Sequence, residues 1–188
     1  MKKVALTGNI AAGKSAAQAR LEDLGFLVFD TDRAGHEALL AESVKKAFDD
    51  VLDADGEISR RKLGRLVFGD RKLLKKLERI SHPVIVRKMR EFFDDNRNAE
   101  LVFAAVPLLF EVGLETEFDK VIFIQAAASR RQQRLMRRDN LSEQQARLRI
   151  AAQDPPRTKI RRSDFVIVNN GSLLNLYKQL DDIIAKLC

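Results

Sequence analysis

The chain has one cysteine, no tryptophan, one tyrosine, two histidines and four prolines among its 188 residues. A lone thiol, Cys188, rules out an intrachain disulfide and suits a reducing compartment. Two histidines and one cysteine also leave too few ligands for a zinc site. No apolar run approaches membrane-spanning length, and the opening MKKVALTG passes straight into a glycine loop instead of a cleavable signal. A cytoplasmic protein without a membrane partner is therefore expected. The shortage of aromatic rings removes the stacking equipment of a single-strand nucleic-acid binder. The net charge of +7 then fits a small, heavily phosphorylated ligand better than a polynucleotide. Hydrophobic residues at 45% and charged residues at 32% are ordinary for a globular domain, and the length favours one domain with elaborations.

What is present begins with VALTGNIAAGKSAAQARLEDLG. Val4–Leu6 reads as a buried parallel strand and Ala16–Leu24 as a helix. Between them Gly8, Gly13, Lys14 and Ser15 match G-x-x-x-x-G-K-[ST] in the strand-to-helix setting that the pattern requires. Without side chains at the two glycines the backbone can curl until successive N–H groups face one anion, and the helix head adds the positive end of its dipole. Lys14 is then placed for the β- and γ-phosphates of a nucleoside triphosphate, and Ser15 for a magnesium ion.

Five apolar runs, Lys3–Leu6, Phe26–Phe29, Leu101–Val106, Val121–Ile124 and Phe165–Val168, alternate with helical patterns. That order predicts an α/β protein with a five-stranded parallel sheet flanked by helices. The stretch from Arg33 to Glu100 holds helix-like segments around one turn, DADGEIS, and is too long for a simple crossover. From Ala128 to Pro156 a basic run leads into LSEQQARLRIAAQ, a helix with Ser142 as its N-cap, and DPP ends it. Arginines on such a flap suit closure over phosphate, although a solvated helix face explains the basic runs too.

VFDTDRAGH places Asp30 and Asp32 at the carboxyl end of the second strand, where open α/β sheets bind ligands. With the pleat kept through Asp30, Asp32 lies on the loop beyond. An acid there can take a proton from an attacking hydroxyl, and equally it can cap the helix that follows.

Taken together, LTGNIAAGKS, LGFLVFDTDRAGH, ISRRKLGRLVF, LERISHPVI, VPLLFEVGLETEFDKVIFI, RLMRRDNLSEQQARLRIAAQ and SDFVIVNNGS resemble the bacterial dephospho-coenzyme A kinase family over almost the whole chain, in order. The resemblance implies transfer of the ATP γ-phosphate to the ribose 3′-hydroxyl of dephospho-coenzyme A, the last step of coenzyme A synthesis. A nucleoside monophosphate or other small-metabolite kinase is the alternative. The implied fold is a P-loop kinase core (1–32, 100–127 and 160–188) with a helical acceptor-binding region (33–99) and a lid (128–159). ATP and Mg2+ are implied, the metal on Ser15, and oligomeric state stays open.

On that analogy Asp32 is the general base and Lys14 steadies the transferring phosphoryl. Gly8, Ala11, Ala12, Gly13, Lys14, Ser15 and Ala16 cradle the nucleotide. Arg138 and Arg149 are lid arginines with Arg134 a third, and Asn169 borders the adenine unless VNNG is a plain turn. His82 and Glu111 join Asp32 in the acceptor site, although His82 before Pro83 also reads as a helix start. Ala11, Ala12 and Ala16 replace the glycine, serine and threonine of many relatives. Ala105 stands where relatives often carry an acid, Arg131 where glutamine is common, and Val168 where aspartate is.

Overall fold

In the computed structural model all 188 residues are described, apart from the side chain of Phe68. Five strands form an all-parallel sheet in the order β2-β3-β1-β4-β5. They are β1 (Lys2–Gly8), β2 (Leu27–Asp30), β3 (Leu101–Ala105), β4 (Lys120–Gln125) and β5 (Phe165–Val168). β1 lies at the centre, with β3 on one side and β4 on the other. Strand order therefore reverses at the end of β1, the place where an open α/β sheet leaves a crevice for ligands. The expected strands are all present, β1 and β4 running a residue or two beyond the apolar pattern at each end and β2 shifted by one residue.

Two compact units are distinguished, residues 1–29 with 96–188, and residues 30–95. In the first, alternate residues of the strands (Val4, Leu6, Phe103, Ile122, Ile124, Ile167) face one way and pack on two helices. Those are α1 (Lys14–Asp23), through Ala17 and Leu21, and α9 (Leu173–Leu187), through Leu176, Leu180, Ile183 and Ile184. The same unit holds α6 (Ala128–Asp139), α7 (Glu143–Ala151) and α8 (Pro156–Arg161). Ser142 caps α7 as expected, in a reciprocal capping box with Gln145. At the open edge of β5 the Gln179 amide takes the Val168 N–H at 3.0 Å and donates to its carbonyl at 3.1 Å, closing an edge that could otherwise pair with another chain.

The unit of residues 30–95 contains α2 (Thr31–Ala38), α3 (Glu42–Ala47), α4 (Arg60–Gly69) and α5 (Arg71–Asp95) around Val44, Phe48, Val51, Ile58, Leu63, Val67 and Leu77. HEALLAESVKKAFDDVL reads as one helical segment, but the chain breaks at Leu39–Ala41. Ala34 and Ala38 are buried, and so are Val44 and Phe48. The separation of six between Ala38 and Val44 would turn Val44 well away from Ala38 in one continuous helix, so the break lets both pairs face inward. DADGEIS is a tight turn closed by a bridge between Leu52 and Ile58.

Pro83 corrects a second expectation. It lies inside the 25-residue α5 instead of starting a helix. An internal proline forfeits one helical hydrogen bond. The buried stripe Leu77, Ser81, Met89 and Phe93 runs through it, and packing along that stripe offsets the loss. No helix among the described residues is long and apolar enough to cross a membrane.

Candidate active site

The loop from Gly8 to Ser15 leaves the carboxyl end of β1 and becomes the head of α1. Both glycines are required by what surrounds them. A Cβ on Gly8 would sit 2.6 Å from the Ile124 carbonyl oxygen of the neighbouring strand. Gly13 has φ 114°, and a Cβ there would meet Asn169 Nδ2 at 2.1 Å. Ala11 adopts φ 58° without being glycine, so this loop carries strain there. Gly13 gives α1 no side-chain cap, so no capping side chain takes the first backbone N–H groups of the helix, the groups with which helix heads bind anions.

The loop is fastened from behind. Arg134 of α6 donates through Nη1 to the carbonyls of Ala11 at 3.2 Å and Ala12 at 3.1 Å, and through Nη2 to the Asn169 carbonyl at 3.0 Å. Asn169 Nδ2 donates to Ala12 O at 2.8 Å, while its Oδ1 accepts from Arg134. The C=O and N–H of one peptide point in opposite directions. Drawing Ala12 O backward thus turns the Gly13 N–H toward the other side. The early part of the loop is held by Gln153, whose Oε1 accepts from Ile10 N at 2.7 Å and from Asn9 Nδ2 at 3.2 Å.

The arginines separate into two groups. Arg134 is partly buried against the loop, and burial, then the like charge of Arg130, lowers its pKa from the ordinary value. Arg138 and Arg149 meet instead on Asp139, with Arg138 Nε 2.7 Å from Oδ1 and Arg149 Nη1 2.9 Å from Oδ2. The hydrogen bond from Arg138 holds the Asp139 carboxyl below its ordinary range, and the same bond raises Arg138. Arg131 is buried, and burial lowers its pKa; Nε and Nη1 have no partner among the described residues. Beside Arg134 a cavity of about 260 Å³ is lined by Arg130, Gln133, Arg137, Asn170 and Gly171.

The remaining candidates are placed as follows. Asp30 ends β2 and caps α2, its Oδ1 accepting from the backbone N–H of Asp32 at 2.8 Å and of Arg33 at 3.1 Å. Asp32 is therefore in the first turn of a helix and exposed, not on a loop beyond the strand, because Asp30 starts the helix one residue after the sheet. His82 lines a groove of about 580 Å³ along α5 with Pro83, Val86, Arg87, Arg90 and Asp94. Asp30, Asp32 and His82 belong to the unit of residues 30–95 and the other candidates to the sheet unit. Glu111 pairs with Lys159 of α8, whose side chain is only 4% exposed. Ala105 is buried at the end of β3, so no carboxylate stands there. No cluster of three or more His, Cys, Asp or Glu suited to a metal occurs among the described residues, whereas Ser15 offers an exposed hydroxyl beside the loop.

Sequence reasoning passed over Asn9, Gln153, Asp139 and Lys159. Gln153 closes the R-I-x-x-Q stretch and Lys159 sits in a basic run, but neither pattern reveals what the side chain touches.

A strand, a glycine loop bent by its neighbours, and a helix head at the switch point describe a nucleotide-phosphate site. A model of dephospho-CoA kinase matches residues 2–175. The chain belongs to the dephospho-CoA kinase family. A dephospho-CoA kinase from Anaeromyxobacter dehalogenans is 39% identical, the match covering 100% of this chain and 92% of the relative. One from Bdellovibrio bacteriovorus is 36% identical, over 98% of this chain and 95% of the relative. Among solved structures, the dephospho-CoA kinase from Campylobacter jejuni is similar with a TM-score of 0.76 at 30% identity, covering 98% of this chain and 96% of that one. A Thermus thermophilus protein reaches 0.85 at 36% identity, covering 100% and 98%. A shikimate kinase from Bacteroides thetaiotaomicron, 11% identical with a TM-score of 0.55 and covering 99% and 98%, shares the fold. The family places the chain among P-loop kinases.

Proposed function

We propose that this protein transfers the γ-phosphate of ATP to the ribose 3′-hydroxyl of dephospho-coenzyme A, giving coenzyme A and ADP in the cytoplasm. The observation that carries this reading is the loop fastened from behind by Arg134, Asn169 and Gln153, with the head of α1 left open to an anion.

Phosphoryl transfer asks the protein for position and charge more than for covalent chemistry. The loop amides and the head of α1 hold the phosphate chain, and Lys14 stabilises charge on the transferring group. The adenine lies in the cavity beside Arg134 and Asn170. Asp32 takes the 3′-hydroxyl proton as that oxygen bonds to the γ-phosphorus and the bond to the ADP oxygen breaks. His82 and the groove along α5 serve the acceptor.

Ser15 suits magnesium, which favours oxygen ligands, keeps several waters and binds largely through substrate phosphates, so a dedicated acidic cage is not needed. When bound, the ion offsets negative charge on the phosphates. Residues 128–159 act as the lid: Arg134 and Gln153 stay fastened to the loop, and between them Arg138 and Arg149 leave Asp139 for the nucleotide and exclude water as the site closes.

A panel of acceptors supplied with ATP and magnesium tests the reading. Coenzyme A forms from dephospho-coenzyme A, and nucleoside monophosphates stay unmodified. Transfer to a nucleoside monophosphate but not to dephospho-coenzyme A would overturn the acceptor assignment while keeping the kinase.

A further inference from the structure

The turn between α7 and α8 offers two acceptors side by side, and both are occupied by the phosphate loop. Gln153 Oε1 accepts from Ile10 N at 2.7 Å and from Asn9 Nδ2 at 3.2 Å. The next residue's backbone carbonyl, Asp154 O, also accepts from Asn9 Nδ2, at 3.2 Å. Asn9 is buried, so neither of its donors to this turn exchanges easily for water.

The turn is stiff. Pro155 and Pro156 follow directly, each with φ fixed by its ring, and Asp154 before a proline is biased to extended backbone. Pro156 also opens α8, and Gln153 N–H bonds back to Ile150 O at 3.3 Å. The carboxamide is thus presented from a short, rigid connection between two helices.

The geometry points to Gln153 as a positioning residue for the phosphate loop. Its carboxamide oxygen is taken up by Ile10 N and Asn9 Nδ2. It fixes the peptide before Ile10 from outside while Arg134 fixes the peptides after Ala11 and Ala12, so the strained residue Ala11 is flanked by anchors on both sides. A loop with φ 58° at an alanine has a neighbouring relaxed conformation available, and loss of one anchor lets it relax away from the curl that gathers the amides on one anion. Gln153 therefore sets the affinity for triphosphate and leaves acceptor binding alone.

This inference rests on the loop being the ATP-phosphate site, and the experiment separates the two. ATP affinity is measured by calorimetry on the full chain for wild type, Gln153→Met, Asn9→Ala and the double variant. The KM values for ATP and for dephospho-coenzyme A, and melting without nucleotide, are recorded alongside. Methionine keeps the length and removes the acceptor. Gln153→Met is expected to weaken ATP binding and raise its KM by about tenfold, the size of one lost buried hydrogen bond, with the acceptor KM within about twofold. Asn9→Ala, which leaves the Ile10 bond intact, has a smaller effect and adds little in the Gln153→Met background.

Unchanged ATP affinity in Gln153→Met, beside a wild type that binds ATP, overturns the inference alone. So does a parallel loss of both KM values with a collapsed melting temperature, which marks a merely structural residue. A wild type that fails to bind ATP removes the reading of the loop and the inference with it.

Discussion

Exchanging Glu111 for leucine strands the ammonium of Lys159, whose side chain is 4% exposed, whereas exchanging Lys159 for methionine leaves a carboxylate that is 26% exposed and can recover water. The two single variants should therefore differ, although each breaks the same pair. Removing one partner of a fully buried pair costs about 3–5 kcal/mol, chiefly through the charge left behind. Lys159 is close to that limit, so Glu111→Leu is expected to cost about 3 kcal/mol. Glu111 is not, and Lys159→Met is expected to cost about 1–2 kcal/mol. Replacing both with apolar groups removes the stranded charge, so the double variant should be more stable than Glu111→Leu alone. Urea unfolding at neutral pH measures all three, and each kcal/mol corresponds to about 2–4 °C in melting for a chain of this size. Lys159→Met costing more than Glu111→Leu, or strictly additive effects in the double variant, would refute the assignment of cost to the buried ammonium. The acceptor KM of Lys159→Met, which keeps the Glu111 carboxylate, reports whether the pair also positions Glu111 for substrate.

Ala11→Gly relieves the left-handed backbone at φ 58° and should stabilise the protein by about 1 kcal/mol, since Arg134 still reaches the carbonyl of residue 11; an unchanged or lower melting temperature would show that the loop is not strained there. Gly13→Ala does the opposite, because φ 114° and the approach of Asn169 Nδ2 leave no space for a Cβ; ATP binding should be lost, and retained affinity would refute the cradle geometry. Asp139 is held below the ordinary carboxylate value of about 3.9 mainly by its hydrogen bond from Arg138. Its folded-state value lies under the unfolded one, so the contribution of this cluster is present above about pH 4 and is lost as pH falls through the lowered value. Carboxyl NMR titration checks this directly, and an Asp139 midpoint at or above the ordinary value would contradict it.

How much of this was legible in the sequence follows from the range of each interaction. The phosphate loop was legible because its chemistry is written in consecutive residues and its neighbours are a strand and a helix with clear patterns. The five strands were legible because buried parallel strands read as short apolar runs. The break between Ala38 and Val44 was visible only once both buried pairs were known, since alanine and leucine propagate helices and no glycine or proline marks the spot. Pro83 misled for the converse reason: a strong local breaker is overridden by a buried stripe that extends to both sides of it. The back of the loop was the least legible part. Arg134, Gln153 and Asn169 lie more than 100 residues from the loop carbonyls and amides they hold, and a basic or amide residue in a motif does not state its partner. Arg138 and Arg149 were legible as a pair of arginines, and their convergence on Asp139 was not.

The central claim is that the loop binds the triphosphate while Asp32 takes the acceptor's proton. The most direct test is a single-turnover measurement of phosphate transfer from ATP to dephospho-coenzyme A by wild type and Asp32→Asn, with ATP affinity determined on the same samples. The account predicts that transfer in Asp32→Asn falls by at least about a hundredfold, within the usual contribution of a general base, while ATP affinity stays within about twofold. Undiminished transfer by Asp32→Asn would contradict it.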